Sequence, residues 1–524
     1  MVAPKARMPG RPVPMKKIAF ALLPALAFLL AATIASAEVT LPHILSDHMV
    51  LQRDRPIHLW GWADPGEAVT ATLRGNTAST KADDLGHWSL DLPPEHAGGP
   101  YQVTIAGTNR IVLTDVMIGD VWFASGQSNM QLPLMGFPGS AVVTNGQQEI
   151  RNATQPELRL LHIPAKASPY PQQDQAASWT LCTPQTAAGF SAAAYFFGRE
   201  IARREHVTVG LIDSSYGGTP AEAWVSMDTL GSDAALMPVF AYWAHVSDDH
   251  VDAARIAAQQ KQQDAAAKAA GQPVPWHMWL PGDLSSWAPA WLYNAMVAPA
   301  VPYPIKGVIW YQGETNSNNQ RAAMYQRVFP ALIHDWRTQW QQGDFPFLYV
   351  QISAFISVPQ ENWAIIREAQ RRTLSVANTA MAVTVDIGNP TNVHPADKQD
   401  VGHRLALAAR ALAYGEPIEY SGPAYRQATV DGNALQLWFD HTTGGLVARG
   451  GPLTGFEIAG ANHIFVPATA HINQQSDTIL VTNPEVPNPK YVRYGWANYP
   501  TVNLYNGAGL PASPFTTEKN IPKP

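Results

Sequence analysis

The residues that could do chemistry stand at the ends of apolar runs. From Gly119 to Met130 the chain reads Gly-Asp-Val-Trp-Phe-Ala-Ser-Gly-Gln-Ser-Asn-Met, an apolar and aromatic run leading into a small polar knot. Ser128 in that knot is either a nucleophile at the tip of a strand or part of an ordinary turn. A serine just past the carboxyl end of a parallel strand has its hydroxyl lifted out of the sheet. Its own N–H can then face outward as an oxyanion donor. Acyl transfer also needs a base to take the hydroxyl proton. Residues 379–386 form an apolar run followed by Gly388-Asn389-Pro390 and then Val-His-Pro-Ala-Asp-Lys-Gln, which sets His394 in a loop ahead of a predicted helix. The other histidines are less well placed, with His403 inside that helix and His43, His48 and His58 in an N-terminal β region.

Two more strand ends carry groups that suit an oxyanion. Residues 207–212 run into Ser-Ser-Tyr-Gly-Gly-Thr, where Gly217 and Gly218 let a backbone N–H approach a substrate closely. Residues 307–311 run into Gln-Gly-Glu-Thr-Asn, where Gln312 offers a neutral side-chain amide donor. One such turn is commonplace. Several after successive predicted strands, joined by the histidine loop, form a pattern.

The elements that must hold these residues follow from periodicity. Residues 38–112 read as short alternating strands punctuated by Asp64-Pro65-Gly66, Asp84-Leu85-Gly86 and Gly98-Gly99-Pro100, which predicts a small β-sandwich. From about 113 to 415, strand-like runs alternate with helical patterns at 192–204, 320–340 and 362–376, predicting a three-layer α/β domain around a parallel sheet. A helical insertion is expected near 226–290, with an exposed Ala- and Gln-rich helix over 253–270. Pro395 is expected in the first turn of the helix after His394. Residues 416–524 turn back to β-rich patterning with Gly, Pro and Asn turns.

The bulk composition fits this division. The chain has 524 residues, 46% of them hydrophobic and 15% charged, as in a well-packed multidomain protein. The net charge of −6 and the lack of any basic block beyond the leader exclude a nucleic-acid footprint. Residues 1–37 read as a signal peptide: Lys16-Lys17, an apolar run over 18–32, and Ala35-Ser36-Ala37 as the cleavage site, complete from Met15 onward. The run falls short of the roughly 20 residues that span a bilayer. Export to the periplasm or the medium is therefore expected, with no membrane contact after processing. The single cysteine, Cys182, excludes an internal disulfide and is expected as a small buried apolar residue. No His/Cys cluster has metal-ligand spacing, so neither a metal nor an organic cofactor is expected.

The order and spacing of these blocks resemble the SGNH hydrolases, in particular their sialate O-acetylesterase-like branch. The resemblance runs over nearly the whole mature chain. It begins with Asp-His-Met-Val-Leu-Gln-Arg (47–53) and Trp-Gly-Trp-Ala-Asp-Pro-Gly-Glu (60–67), and takes in the Ser128 block and Tyr-Gly-Gly-Thr-Pro-Ala-Glu-Ala-Trp (216–224). It continues through Leu-Tyr-Asn-Ala-Met-Val-Ala-Pro (292–299), the Gln312 block, Arg-Glu-Ala-Gln (367–370), the His394 block and Val-Arg-Tyr-Gly-Trp-Ala-Asn (492–498). It implies a flavodoxin-like SGNH core, Ser128 as nucleophile, His394 as base and Gly218 as an oxyanion donor beside the Ser128 N–H. Gln312 would stand where many SGNH enzymes carry Asn.

One position departs from the pattern. Many SGNH enzymes place the triad Asp three residues before the His, and here Thr391 stands there, followed by Asn392. Asp386 is the first candidate for the third member, with Asp397 and Glu314 behind it and a backbone carbonyl as the remaining option. The resemblance implies an O-acetylesterase that frees sugar hydroxyls through an acetyl-serine, acting on an acetylated sugar or glycan. That substrate is sialic acid, as the family name suggests, or a hemicellulose such as xylan or xyloglucan. A non-catalytic carbohydrate-binding protein is the competing class, disfavoured by the intact serine, histidine, glycine and glutamine. A general lipase would want a long apolar lid, which the sequence lacks. Trp224, Trp310 and Tyr311, near predicted strand ends, either stack on sugar rings or pack in the core.

Overall fold

The structure, a computed structural model, describes residues 38–249, 253–272 and 284–521. The expected signal peptide over 1–37 lies outside the described residues. Seven strands open the described chain: β1 (Val50–Gln52), β2 (Ile57–Trp62), β3 (Ala68–Leu73), β4 (Asn76–Lys81), β5 (His87–Leu92), β6 (Gly98–Ala106) and β7 (Arg110–Gly126). β2 alternates buried and half-buried residues, as a strand with one covered face does. β2 pairs with β5, while β3 lies between β4 and β6, and β6 pairs with β7.

The 17-residue β7 joins the two halves of the fold. Its first part pairs with β6 and with β1, where Val50 lies opposite Met117. Its last part enters the large sheet, pairing in parallel with β10 (Val209–Ser215) on one side and β11 (Gly307–Tyr311) on the other. The division expected near residue 112 therefore falls inside one continuous strand. A single apolar core runs from Leu59 and Val103 through Phe123 to Trp336.

The large sheet also contains β8 (Gln155–His162), β9 (Thr180–Cys182), β12 (Phe347–Val350) and β13 (Thr379–Ala382). Its order is β13-β12-β11-β7-β10-β8-β9, parallel except for β9. Every residue of β10, β11 and β12 is buried, because helices cover both faces. On one face lie α2 (Ala192–Glu205) and α7 (Lys398–Leu412), whose buried Phe197, Ile201, Val401 and Leu405 share a core with Trp122 and Ile309. On the other lie α5 (Asn319–Trp340) and α6 (Trp363–Thr373). Cys182 is buried against the Ala153 carbonyl, and burial pushes its thiol up to about 12.

Two helices, α3 (Met237–Asp249) and α4 (Ala253–Ala269), branch from the sheet between β10 and β11, and α4 exposes most of residues 258–269. The C-terminal region is a β module with its own apolar core, including Leu437, Ile458, Ile479, Val492 and Phe515. Two four-stranded sheets and a two-stranded one build it. It is fastened to the α/β layer by the fully buried Arg367 of α6. That guanidinium donates to the carbonyls of Ile352, Ser353, Ala497 and Asn498, and burial without a counter-charge lowers it to about 9. The Arg-Glu-Ala-Gln and Val-Arg-Tyr-Gly-Trp-Ala-Asn blocks thus meet each other. No described helix is long and apolar enough to cross a membrane.

Candidate active site

The carboxyl ends of β10, β7 and β11 lie side by side, with Ser215 opposite Gly126 and Tyr311 opposite Gly126. The chain leaves β7 to one side for β8 and β10 and to the other for β11. This makes the end of β7 a switch point, where open α/β sheets leave a crevice. Gly126 takes φ 136°, and a Cβ there would meet the Tyr311 carbonyl oxygen at 2.1 Å. Only glycine allows this tight exit, and two residues later Ser128 opens the one-turn helix α1 (Ser128–Gln131).

Ser128, Gly217, Gly218 and His394 all line one cavity of about 560 Å³. The turn after β10 lies directly against the serine: a Cβ added to Gly217 would sit 3.3 Å from that of Ser128. The Gly217 N–H is taken by Gln131 Oε1 at 2.9 Å. Among the described residues the Ser128 and Gly218 N–H groups have no hydrogen-bond partner, and Gly218 takes φ 72°. Two unpartnered N–H donors beside a serine hydroxyl are what an oxyanion needs.

His394 is half-buried in the loop before α7, its ring edge-to-face with Phe137 at 5.6 Å. Its Nε2 is buried without a partner. Burial, with the nearby Lys398 ammonium as a smaller cause, lowers the imidazole to about 4. The loop is pinned on both sides of the ring. The His394 N–H donates to Asn392 Oδ1 at 2.9 Å, and the Val393 carbonyl accepts from Asn129 Nδ2 at 3.0 Å.

Asn129 is the hub of a buried network absent from the sequence reading. Its Nδ2 also donates to Glu314 Oε1 at 2.6 Å, and its Oδ1 accepts from Lys398 Nζ at 2.6 Å. Burial raises Glu314, whose Oε2 has no partner, and lowers Lys398 to about 7. One amide thus ties the serine turn, the histidine loop, the turn after β11 and the start of α7. Asn129 and Lys398 flank the two catalytic candidates in sequence, at +1 and +4. That adjacency is the only signal that could have marked them.

The structure does not bring Asp386 to the imidazole. The short 3₁₀ turn after β13 (Val385–Ile387) directs its carboxylate to α7, where Arg404 donates to both oxygens at 2.6 and 2.8 Å. Tyr505 donates to it as well, at 3.3 Å. No hydrogen bond or ion pair joins it to His394. Asp397 caps α7 by accepting the Asp400 N–H at 2.9 Å, so the helix starts at Lys398 and Pro395 precedes it. Of the three acids, Glu314 alone lines the cavity.

Gln312 lies beneath the site instead of in it. It is fully buried, and its Nε2 donates to the Thr219 carbonyl at 3.1 Å and Asn316 Oδ1 at 2.5 Å. Both amide hydrogens are therefore occupied. Gly313, at φ 149° and packed on Ile352 and Ile366, swings the chain so that Glu314 rather than Gln312 reaches the cavity. Asn316 continues the support to Glu222 and Arg321. Trp224, Trp310 and Tyr311 are likewise fully buried core residues, with Trp224 and Trp310 edge-to-face at 6.0 Å. The aromatic groups that do face the cavity are Phe137, Trp287, Phe355 and Trp363. Trp363 and Glu361 are held from the C-terminal module by Asn498, which accepts the Trp363 N–H and donates to the Glu361 carbonyl, both at 3.1 Å. Among the described residues no group of three or more His, Cys, Asp or Glu side chains could hold a metal ion.

Comparison with known proteins supplies a lineage for this arrangement. Residues 276–411 match the family described as carbohydrate esterase, sialic acid-specific acetylesterase, a span that includes His394 and begins well after Ser128. The sialate O-acetylesterase of Homo sapiens is 32% identical over 424 residues, covering 72% of each chain. That of Rattus norvegicus is 29% identical over 526 residues, covering 90% of this chain and 93% of its own. The crystal structure of a carbohydrate acetylesterase from Xanthomonas citri superposes with a TM-score of 0.79 at 38% identity, covering 92% of this chain and all of the other.

Proposed function

The chain belongs to the sialate O-acetylesterase family, and from that membership we propose that it is an exported serine O-acetylesterase of sugars with an SGNH-type core. Ser128 Oγ attacks the acetyl carbonyl while His394 takes the hydroxyl proton. The Ser128 and Gly218 N–H groups receive the developing oxyanion. His394 then returns the proton to the sugar oxygen as the C–O bond breaks, leaving acetyl-serine. Water deacylates it by the same route, its proton passing to His394 and on to Ser128 Oγ. The observation that carries this reading is the shared cavity of Ser128, Gly218 and His394, with two unpartnered N–H donors beside the serine.

His394 acts in this scheme without a carboxylate partner. The backbone at Val393 and His394 holds the loop, the ring packs edge-to-face on Phe137, and Asp386 is occupied by Arg404. Export to the periplasm or medium rests on the leader sequence over residues 16–37. The test is acetate release from 4-nitrophenyl acetate, with covalent labelling by a serine-hydrolase probe. Wild type should turn over and label at Ser128, whereas Ser128→Ala should do neither while melting at the wild-type temperature. Substantial turnover by the folded mutant would refute the mechanism.

A further inference from the structure

A sugar entering the cavity meets apolar rings, two acids and the His394 imidazole, but no lysine or arginine among the described residues. Phe137, Trp287, Phe355 and Trp363 supply flat apolar surface, suited to the C–H face of a pyranose. The ionisable side chains of the wall, apart from His394, are Glu314 and Glu361, and no Lys or Arg lines it among the described residues.

Two cations stand behind the wall, both buried and neither lining the cavity, although Arg321 Nη1 has no partner among the described residues. Arg321, 1% exposed, donates from Nε to Glu222 at 2.9 Å and lies 4.1 Å above the Trp287 ring. Lys398, fully buried, donates to Asn129, and its charge is balanced by Glu314. Glu361 is the acid with no cation paired to it among the described residues. Its Oε2 accepts from Trp363 Nε1 at 3.1 Å and from the Ser357 hydroxyl, both neutral donors.

Sialic acid carries a carboxylate on its anomeric carbon. Bringing that charge into a cavity costs free energy unless a cation meets it, typically a bidentate arginine. Here the described wall offers no lysine or arginine, and Glu361 adds a like charge that opposes binding. We propose that the cavity selects a neutral O-acetylated pyranose, of the kind found in plant hemicelluloses, and discriminates against acetylated sialate through the charge of Glu361. The proposal rests on the acetylesterase reading and narrows its substrate. A hydroxyl-rich neutral sugar suits the site, because Glu361 and Asn318 can both accept from sugar hydroxyls.

The decisive comparison is 9-O-acetyl-N-acetylneuraminic acid against its C1 methyl ester, which differ in one charge. An O-acetylated methyl xyloside serves as the neutral sugar and 4-nitrophenyl acetate as the reference, with acetate release measured throughout. The methyl ester should exceed the free acid in kcat/KM by roughly tenfold or more, with the xyloside above both. Glu361→Gln should draw the ester-to-acid ratio toward one, and a general loss of activity cancels in that ratio. A free acid processed as well as its ester, or a ratio unmoved by Glu361→Gln, would overturn the proposal. Loss of Ser128-dependent turnover of 4-nitrophenyl acetate itself would instead sink the acetylesterase reading, and the substrate assignment with it.

Discussion

Lowering the pH from 7 to 5 should leave kcat/KM almost intact. The free-enzyme limb of a pH profile reports the base that must be neutral to accept the serine proton. An ordinary histidine titrates near 6.5, so its neutral fraction falls from about 76% at pH 7 to about 3% at pH 5 and kcat/KM falls about 25-fold. Burial, aided by Lys398, brings His394 to about 4. About 90% of it is then neutral at pH 5. The folded value is depressed below the unfolded one, so between about 6.5 and 4 the unfolded chain binds more protons. Stability therefore declines as pH falls through that window, by up to about 3 kcal/mol from this group. The assay is acetate release from 4-nitrophenyl acetate between pH 3.5 and 8, with a melting curve at each pH to show that the protein is folded. Lys398→Met removes the nearby cation and leaves Glu314 unbalanced. Both changes favour the imidazolium, so the limb should move to higher pH. A wild-type limb centred near 6.5 in folded protein would refute the reasoning and point to a solvated or carboxylate-paired imidazole.

Asp386→Asn should act on stability rather than chemistry. It breaks the paired contact with Arg404, which can cost up to about 3–5 kcal/mol for a buried pair, while turnover per folded molecule changes less than about tenfold. A folded mutant with a loss near 10⁴ would restore Asp386 as the orienter of His394. Gln312→Ala should likewise destabilise, by about 1–3 kcal/mol for each buried partner left unsatisfied at Thr219 and Asn316. Its kcat should fall by less than the roughly 10²–10³ that follows removal of an oxyanion donor, measured with melting temperature on the same preparations.

The contrast between Ser128 and Asp386 marks how far the chain can be read without its structure. Strand runs, glycine turns and their order placed Ser128, Gly218 and His394 at loop positions after strands, and the structure brings these three to one cavity. Those signals are local. Strand burial appears in neighbouring residues, and the sharp turn at Gly126 needs a residue without a Cβ wherever the chain goes next. The β-rich C-terminal region was legible in the same way. The partners of polar side chains were not. Asp386 stood first as the partner of His394, yet the fold pairs it with Arg404, and a one-residue change of direction at Gly313 exchanged Gln312 for Glu314 at the cavity. Nothing in local composition indicated that Lys398 would be buried against Asn129, 269 positions away, or that β7 would run unbroken from one half of the fold into the other. Backbone conformation follows from a few neighbouring residues, whereas the partner of a charged or amide group depends on which distant elements pack beside it, and only the tertiary structure decides that.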